Sequence, residues 1–268
     1  MQPKILVFIP AYRCEKQVVR VLGQFNAEVQ ACVDTVMVVD NRSPDGTLAA
    51  AVQAGSVQFT QCHFIAWRND DNYGLGGSHK AAMRYALDNG FDYLVVLHGD
   101  DQADIRDLLP QLRKVVPAQF DCLLGARFMQ GSRLQGYSWV RTWGNRVYNW
   151  LFSVVAGCRI YDLGSGLNMY RMKALQEFYY ETFPDDLTFN YVMLLGSFQR
   201  GQQVRFFPIS WREEDQESNV RLFRQAFKVL ALLGGFAIGR SRFMARELRG
   251  KPFDVYSGQI VHRTNRKV

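Results

Sequence analysis

The sequence predicts an α/β fold: a mostly parallel central sheet with helices on both faces, followed by a basic amphipathic C-terminal helical segment. Three observations carry this. Short apolar runs alternate with helix-periodic stretches through the first hundred residues, as they do where helical crossovers join parallel strands. Polar residues gather where the runs stop, as ligand-facing residues do at the carboxyl ends of such strands. Hydrophobic residues are 48% and aromatic residues 13% of the 268, enough apolar surface to offset the ordering entropy of a core and to exclude a disordered chain.

In chain order, "KILVFIP" reads as a strand, Lys16 to Gln30 as a helix, "TVMVVDN" as a strand and Gly46 to Ala54 as a helix. "CHFIAWR" is a third strand, Ser78 to Asn89 a helix and "YLVVLHG" a fourth strand, each run short, β-branched or aromatic, and bounded by polar residues or glycine. Pro10-Ala11-Tyr12, Asp40-Asn41 and His98-Gly99-Asp100 stand at strand ends. Beyond Asp104 the pattern is less regular. Ile105 to Val115 looks helical apart from Pro110, "DCLLGAR" is a strand, Ser138 to Val155 is an aromatic-rich helix and "QVRFFPISW" is a strand, with no internal repeat or low-complexity tract. The expected division is a catalytic domain over 1–215 and the basic segment over 216–268.

The formal charge of +7 is unevenly spread. Arg221 to Val268 holds eleven Lys/Arg against Glu247 and Asp254, a net +9 that leaves −2 on the first 220 residues. Arg221, Arg224 and Lys228 recur at helical spacing beside an apolar stripe of Phe223, Phe227 and Leu230, and Arg240, Arg242, Arg246 and Arg249 follow. Such a helix either lies on an anionic membrane surface or packs its apolar side on the catalytic domain, a second subunit or a membrane-protein partner. Nucleic acid is not expected, since no binding motif or aromatic platform accompanies the charge. Five cysteines (14, 32, 62, 122, 158) without CxxC spacing point to a reducing cytosol rather than disulfides or zinc. "ILVFI" is too short for a signal-peptide core, and the longest uncharged apolar run, Val229 to Gly239, has eleven residues where a span needs about 20. The expected location is cytoplasmic, peripheral at the inner face of the membrane.

"YLVVLHGDDQADI" crowds Asp100, Asp101 and Asp104 after a buried strand. Asp104, ahead of "IRDLL", suits a helix cap. Asp100, and to a lesser degree Asp101, would face the crevice, where packed like charges favour a cation; hard oxygen ligands bridging to phosphates imply Mg2+ or Mn2+. In "VVDNRSPDGT", Asp40 closes a strand where a carboxylate could accept from nucleobase N–H groups or ribose hydroxyls, and Asp45-Gly46 makes a turn. "NYGLGGSHKAAMRYAL" places glycines 74, 76 and 77 before a helix without the dinucleotide or P-loop spacing. Such an entry either approaches a phosphate or sugar closely or serves tight helix packing.

Taken in order, "FIPAYRCEKQVV", "VVDNRSPDGT", "NYGLGGSHKAA", "LHGDDQADI", "GAR" and "DLGSGLNMYR" resemble the family-2 inverting glycosyltransferases, in the dolichol-phosphate-mannosyltransferase-like branch. The resemblance covers about Ile5 to Trp211 and rests on the ordered set. It implies a GT-A fold, a nucleotide-sugar donor and a divalent metal. Pro10, Ala11, Tyr12 and Glu15 would line the nucleotide pocket with Asn72, Gly74, Gly77, Lys80 and Gly99, and Asp40 would contact the base. Arg13 stands where the family usually has Asn. The family's DxD is here His98-Gly99-Asp100, so Asp100 matches the second metal carboxylate, and His98 and Gln102 become its candidate companions. Arg127 and Arg141 match positions that hold a polyprenyl-phosphate acceptor, with Asn145 one turn beyond Arg141 and Ser165 nearby; their alternative is salt bridging across the sheet edge.

Inverting transfer requires in-line attack at the anomeric carbon while the departing diphosphate is neutralised. A sugar-hydroxyl acceptor needs a general base, for which Asp162 in "YDLGSG" is the candidate, although it also suits a turn before Gly164. A phosphate acceptor does not, because its second pKa of about 6 leaves it largely dianionic near neutral pH. The leading expectation is therefore metal-dependent transfer of one sugar from a GDP- or UDP-sugar to a polyprenyl phosphate. The competing expectations are transfer to a glycan hydroxyl in the cell envelope, and an inactive nucleotide-sugar-binding protein marked by His98.

Overall fold

The computed structural model describes residues 3–113, 120–213 and 222–264. The chain opens with β1 (Ile5–Ala11), α1 (Glu15–Gly23), α2 (Ala27–Gln30), β2 (Thr35–Asp40), α3 (Thr47–Gln58), β3 (His63–Asn69), α4 (Gly74–Asp88) and β4 (Tyr93–Leu97). The predicted alternation is thus present. The helix expected over Lys16 to Gln30 is two pieces, because Asn26 turns extended and its side chain accepts the Val29 N–H at 3.0 Å to cap the second. After β4 come a 3-10 turn over Ile105–Leu108, α5 (Leu109–Leu112), β5 (Cys122–Ala126), β6 (Arg133–Gln135), α6 (Trp139–Ala156) and β7 (Leu167–Arg171). The chain ends with α7 (Phe189–Gln199), β8 (Val204–Pro208), β9 (Ser210–Arg212), α8 (Leu222–Ile238), α9 (Arg240–Met244) and β10 (Gly258–Thr264). Val115, expected at a helix end, lies outside the described residues, and "QVRFFPISW" divides between β8 and β9.

Eight strands form one sheet in the order β10-β3-β2-β1-β4-β7-β5-β8, and β6 pairs with β9 apart from it. Within the eight, only β7 and β10 run antiparallel to their neighbours. Each buried strand alternates its side chains between two cores. Ile5, Val7 and Ile9 of β1 and Val95 and Leu97 of β4 face a layer containing Val18, Val21 and Leu22 of α1; Leu6, Phe8, Leu94 and Val96 face Ala82, Met83 and Ala86 of α4 and Val192 and Leu195 of α7. This two-sided burial is why the strands read as continuous apolar runs. The strand order reverses between β1 and β4, so a crevice opens beyond their carboxyl ends.

The C-terminal segment is not a separate appendage. Its expected boundary at 215/216 lies outside the described residues, but β10 pairs antiparallel with β3 from Gly258↔Asn69 to Thr264↔Phe64 and forms the edge of the central sheet. On α8, Val229, Leu233 and Phe236 enter the core. Of the apolar stripe that was to meet either a membrane or a protein surface, Phe227 is 73% exposed and Leu230 is exposed too. Arg221 lies outside the described residues, as do the side chains of Phe223 and Arg224. No helix among the described residues is long and apolar enough to cross a membrane.

Candidate active site

The crevice holds a cavity of about 410 Å3 lined by Pro10, Ala11, Tyr12 and Cys14 after β1, Asn41 after β2, Asn72, Gly74, Leu75 and Ser78 at the start of α4, His98, Gly99 and Asp100 after β4, and Asp186 and Leu187 before α7. Non-glycine residues with positive φ cluster here: Arg13 (51°), Arg42 (60°) and Asp101 (60°) follow β1, β2 and β4. Left-handed backbone at such residues costs on the order of 1 kcal/mol each and persists where the surroundings impose it, commonly at functional sites. One wall is fixed by an amide network. Asn69 donates to Asn41 Oδ1 and Ser78 Oγ at 3.0 Å each, Asn41 donates to Asn72 Oδ1 at 2.8 Å, and Asn72 Oδ1 also accepts the Gly74 N–H at 3.1 Å.

The three acids of the opening motif have three different tasks. Asp104 caps the 3-10 turn, accepting the Arg106 N–H at 2.9 Å. Asp101 is buried and braces the scaffold: its carboxylate accepts from Arg20 Nε at 2.7 Å, Gln24 Nε2 at 2.9 Å and Arg212. Only Asp100 lines the cavity. Burial pushes its carboxyl up to about 6, and Gln102 contributes through its backbone N–H, which donates to Oδ1 at 3.2 Å, rather than from the cavity wall. His98 also lines the cavity, with Nε2 buried and lacking a hydrogen bond. Burial, reinforced by Arg127, pushes His98 down to about 4, so the ring is neutral at pH 7. Its ring meets that of buried His79 edge-on at 6.2 Å.

Among the described residues no three His, Cys, Asp or Glu side chains form a self-sufficient metal site. One carboxylate and one neutral, unsatisfied imidazole nitrogen in the same cavity do fit a divalent cation that takes its other ligands from a diphosphate and water, the usual arrangement for Mg2+ with nucleotides.

A second cluster surrounds Tyr137. Arg127 makes a bidentate pair with Asp162, Nε to Oδ2 at 2.7 Å and Nη2 to Oδ1 at 2.8 Å, and its guanidinium lies over the Trp211 and Tyr137 rings at 4.8 and 5.9 Å. Burial opposes the charge on Arg127, but Asp162 outweighs it and raises the pKa. Arg141 also lies over the Tyr137 ring, at 4.8 Å, and pairs with Glu213 at 2.6 Å. Asn145 donates to the Tyr137 hydroxyl at 2.9 Å. The structure therefore brings Arg127, Arg141 and Asn145 together around Tyr137, and of these Arg127 lies within electrostatic reach of His98 and Asp100. As folded, Asp162 is committed to Arg127 and is not poised as a general base.

Other expected positions are used differently. Glu15 sits against Gly46 at the start of α3 rather than in the cavity, where a carboxylate complements the helix dipole. Lys80 is buried and donates to Asp185 Oδ1 and the Phe183 carbonyl at 2.6 Å each and to the Tyr256 hydroxyl at 3.1 Å, so it locks the C-terminal segment onto α4 instead of meeting a nucleotide. Gly77 serves the same packing: a Cβ there would lie 2.5 Å from Tyr73 Cβ and 3.0 Å from the Tyr256 ring. Gly74 adopts φ +71° against the Asp185 carbonyl, yet still lines the cavity. Ser165 is buried, donates to the Leu167 carbonyl at 3.2 Å and is not part of the 410 Å3 cavity lining. Asp40 is buried outside the cavity lining, one oxygen accepting the Ser43 N–H at 3.2 Å and the other, 3.8 Å from Arg68 Nε, without a hydrogen bond. Lys80→Met is expected to cost about 3 kcal/mol of stability through the unpaired Asp185 and to leave donor affinity unchanged; urea unfolding and donor titration check both.

Sequence reading placed Asn41 at a strand end without giving it a role in the site, and passed over Cys14, Tyr137, Asp186 and Leu187. The last two come from "FPDDLTF", which carries no local pattern tying it to α4.

Residues 6–179, well over half of the chain, match the profile of glycosyl transferase family 2, and the chain belongs to that family. It is 26% identical over 222 residues to the undecaprenyl-phosphate mannosyltransferase of Micrococcus luteus, covering 79% of this chain and 85% of that one. It is 26% identical over 175 residues to the polyprenol monophosphomannose synthase of Mycolicibacterium smegmatis, covering 65% of this chain and just under two thirds, 64%, of the relative. Among solved structures, glucosyl-3-phosphoglycerate synthase of Mycobacterium tuberculosis, with Mn2+, uridine diphosphate and phosphoglyceric acid bound, superposes with a TM-score of 0.62 at 15% identity, over 88% of this chain and 79% of that one. That likeness shows the GT-A fold.

Proposed function

We propose that this family-2 glycosyltransferase moves one sugar, with inversion, from a GDP- or UDP-sugar to a polyprenyl phosphate at a membrane surface. The observation that carries the reading is the pairing of the Asp100 cavity with an adjacent cluster of two arginines, while Asp162, the acid the sequence offered as a base, is engaged by Arg127. A phosphate nucleophile needs holding, not deprotonation. The lipid-phosphate substrates in the names of the two bacterial relatives support the same acceptor.

On this reading the donor's base lies toward Asp40 and Arg68, whose buried unsatisfied atoms await N–H and acceptor partners, and its diphosphate lies along Pro10 to Tyr12 and Gly99. Asp100, with His98, would hold a Mg2+ or Mn2+ ion, which would supply charge neutralisation of the leaving diphosphate. Arg141 and Asn145 fix the acceptor phosphate at the open side of Tyr137, and Arg127, held by Asp162, presents its remaining donors from below. The crevice orients the sugar for attack from the arginine side.

The test is a panel of GDP- and UDP-sugars with each metal, offered polyprenyl phosphate or oligosaccharide, with released nucleoside diphosphate and labelled product measured. Label is expected in the lipid phosphate alone. Label in the oligosaccharide overturns the acceptor assignment, and donor binding without turnover favours the inactive binding protein.

A further inference from the structure

From Arg127 to Tyr161 the sequence carries five arginines (127, 133, 141, 146 and 159) and no Asp or Glu. The middle of this stretch is α6. Trp139, Trp143 and Trp150 are 74, 62 and 64% exposed, and Val147 and Val154 are exposed with them. Steps of four, four, three and four residues place all five on one face of the helix; Asn149 and Phe152 bury the other. Three of the protein's five tryptophans thus stand in solvent along one line, far more apolar surface than a helix facing only water presents. Beside them runs an open groove of about 560 Å3, lined among others by Phe128, Trp150 and Val154 and flanked by Arg146 and Arg159.

We propose that this face of α6 is the docking surface for an anionic lipid bilayer, with the tryptophans at the headgroup boundary and Arg146 and Arg159 against lipid phosphates. Tryptophan is the side chain best suited to that boundary, its ring apolar and its N–H still able to reach water. The exposed Arg146 and Arg159 beside the groove attract an anionic leaflet. The same charge argues against a second copy as the occupant, because a two-fold contact would set this face against itself and oppose like charges. The basic helix α8, where sequence placed membrane contact, packs beside α6, and Arg240, just after it, donates to the Val155 carbonyl at 2.6 Å; it flanks this surface rather than forming it. Resting on the lipid-acceptor reading above, docking sets Arg141 and Asn145, on the same helix, at the level from which a polyprenyl phosphate is drawn.

The experiment is co-sedimentation of the full chain with vesicles of phosphatidylcholine, alone and with phosphatidylglycerol added, together with quenching of tryptophan emission by brominated acyl chains. Wild type is expected to pellet with the anionic vesicles and to be quenched. Trp143→Ser/Trp150→Ser and, separately, Arg146→Glu/Arg159→Glu are each expected to weaken vesicle binding ~10-fold or more. Both variants should keep wild-type transfer to a short water-soluble polyprenyl phosphate, so loss of docking is told apart from failure of the proposed chemistry. The proposal is overturned if wild type ignores anionic vesicles, if both variants pellet like wild type, if Phe227→Ser/Ile238→Ser alone removes binding, or if the tryptophan variants instead convert a dimer to a monomer in sizing experiments.

Discussion

Asp100→Asn is expected to lower the rate of sugar transfer ~10^3-fold or more, as loss of the group stabilising a leaving charge does, with the fold intact. The substitution keeps the shape and an oxygen that can accept the Gln102 N–H. It removes the one acidic charge that the β4 end presents to the cavity. Stability has a definite sign. A carboxyl raised from 3.8 to about 6 by burial favours its protonated form in the folded chain, so it costs stability progressively as pH rises from about 4 through 6, and above that the cost is complete. At pH 7, with a chelator present, the asparagine variant should therefore unfold at the same temperature as wild type or a higher one. Adding Mn2+ and nucleoside diphosphate should raise the unfolding temperature of wild type and do so much less in the variant. Transfer at the wild-type rate would refute the assignment of the leaving-group site to Asp100.

The acids at the end of β4 show what a sequence conveys about a site and what it withholds. Asp104 was legible because a cap is a local event, an acid ahead of a turn. Asp100 and Asp101 are neighbours of equal chemistry, and only the positive φ at Asp101 and the arrival of Arg20, Gln24 and Arg212 from distant elements separate the brace from the acid that lines the cavity. The first four strands were legible because burial on both faces makes each a continuous apolar run. β7 was not, since "LNMYR" interrupts its apolar residues with Asn168 and Arg171 and so shows no continuous apolar run, and its place between β4 and β5 is set by pairing alone. Lys80 failed as a nucleotide contact for a similar reason: Asp185 and Tyr256 lie 105 and 176 residues away. The tryptophans of α6 were visible as an aromatic-rich helix, but composition does not tell which face a helix buries.

Arg127→Ala is expected to destabilise the protein by about 3–5 kcal/mol, because it strands the Asp162 carboxylate in a site closed to water. Asp162 is almost wholly buried, and of its hydrogen bonds only those from the backbone N–H groups of Arg127, at 2.8 Å, and Gly164, at 3.3 Å, would survive. Such a loss would depress activity whether or not the guanidinium meets substrate, so the single variant does not separate scaffold from acceptor site. The pair can be replaced together. Arg127→Met/Asp162→Leu removes both charges at similar volume, and exchanges of this kind are often neutral or stabilising, so urea unfolding should return most of the lost stability. If Arg127 holds the acceptor phosphate, the double variant will fold yet show a KM for polyprenyl phosphate raised ~10^2-fold, the worth of a charge-assisted contact, with donor affinity unchanged. If Asp162 were instead the base for a sugar hydroxyl, the same variant would lose kcat with KM little altered. A double variant that folds and uses lipid phosphate normally would reduce the pair to a brace and leave Arg141 as the acceptor contact.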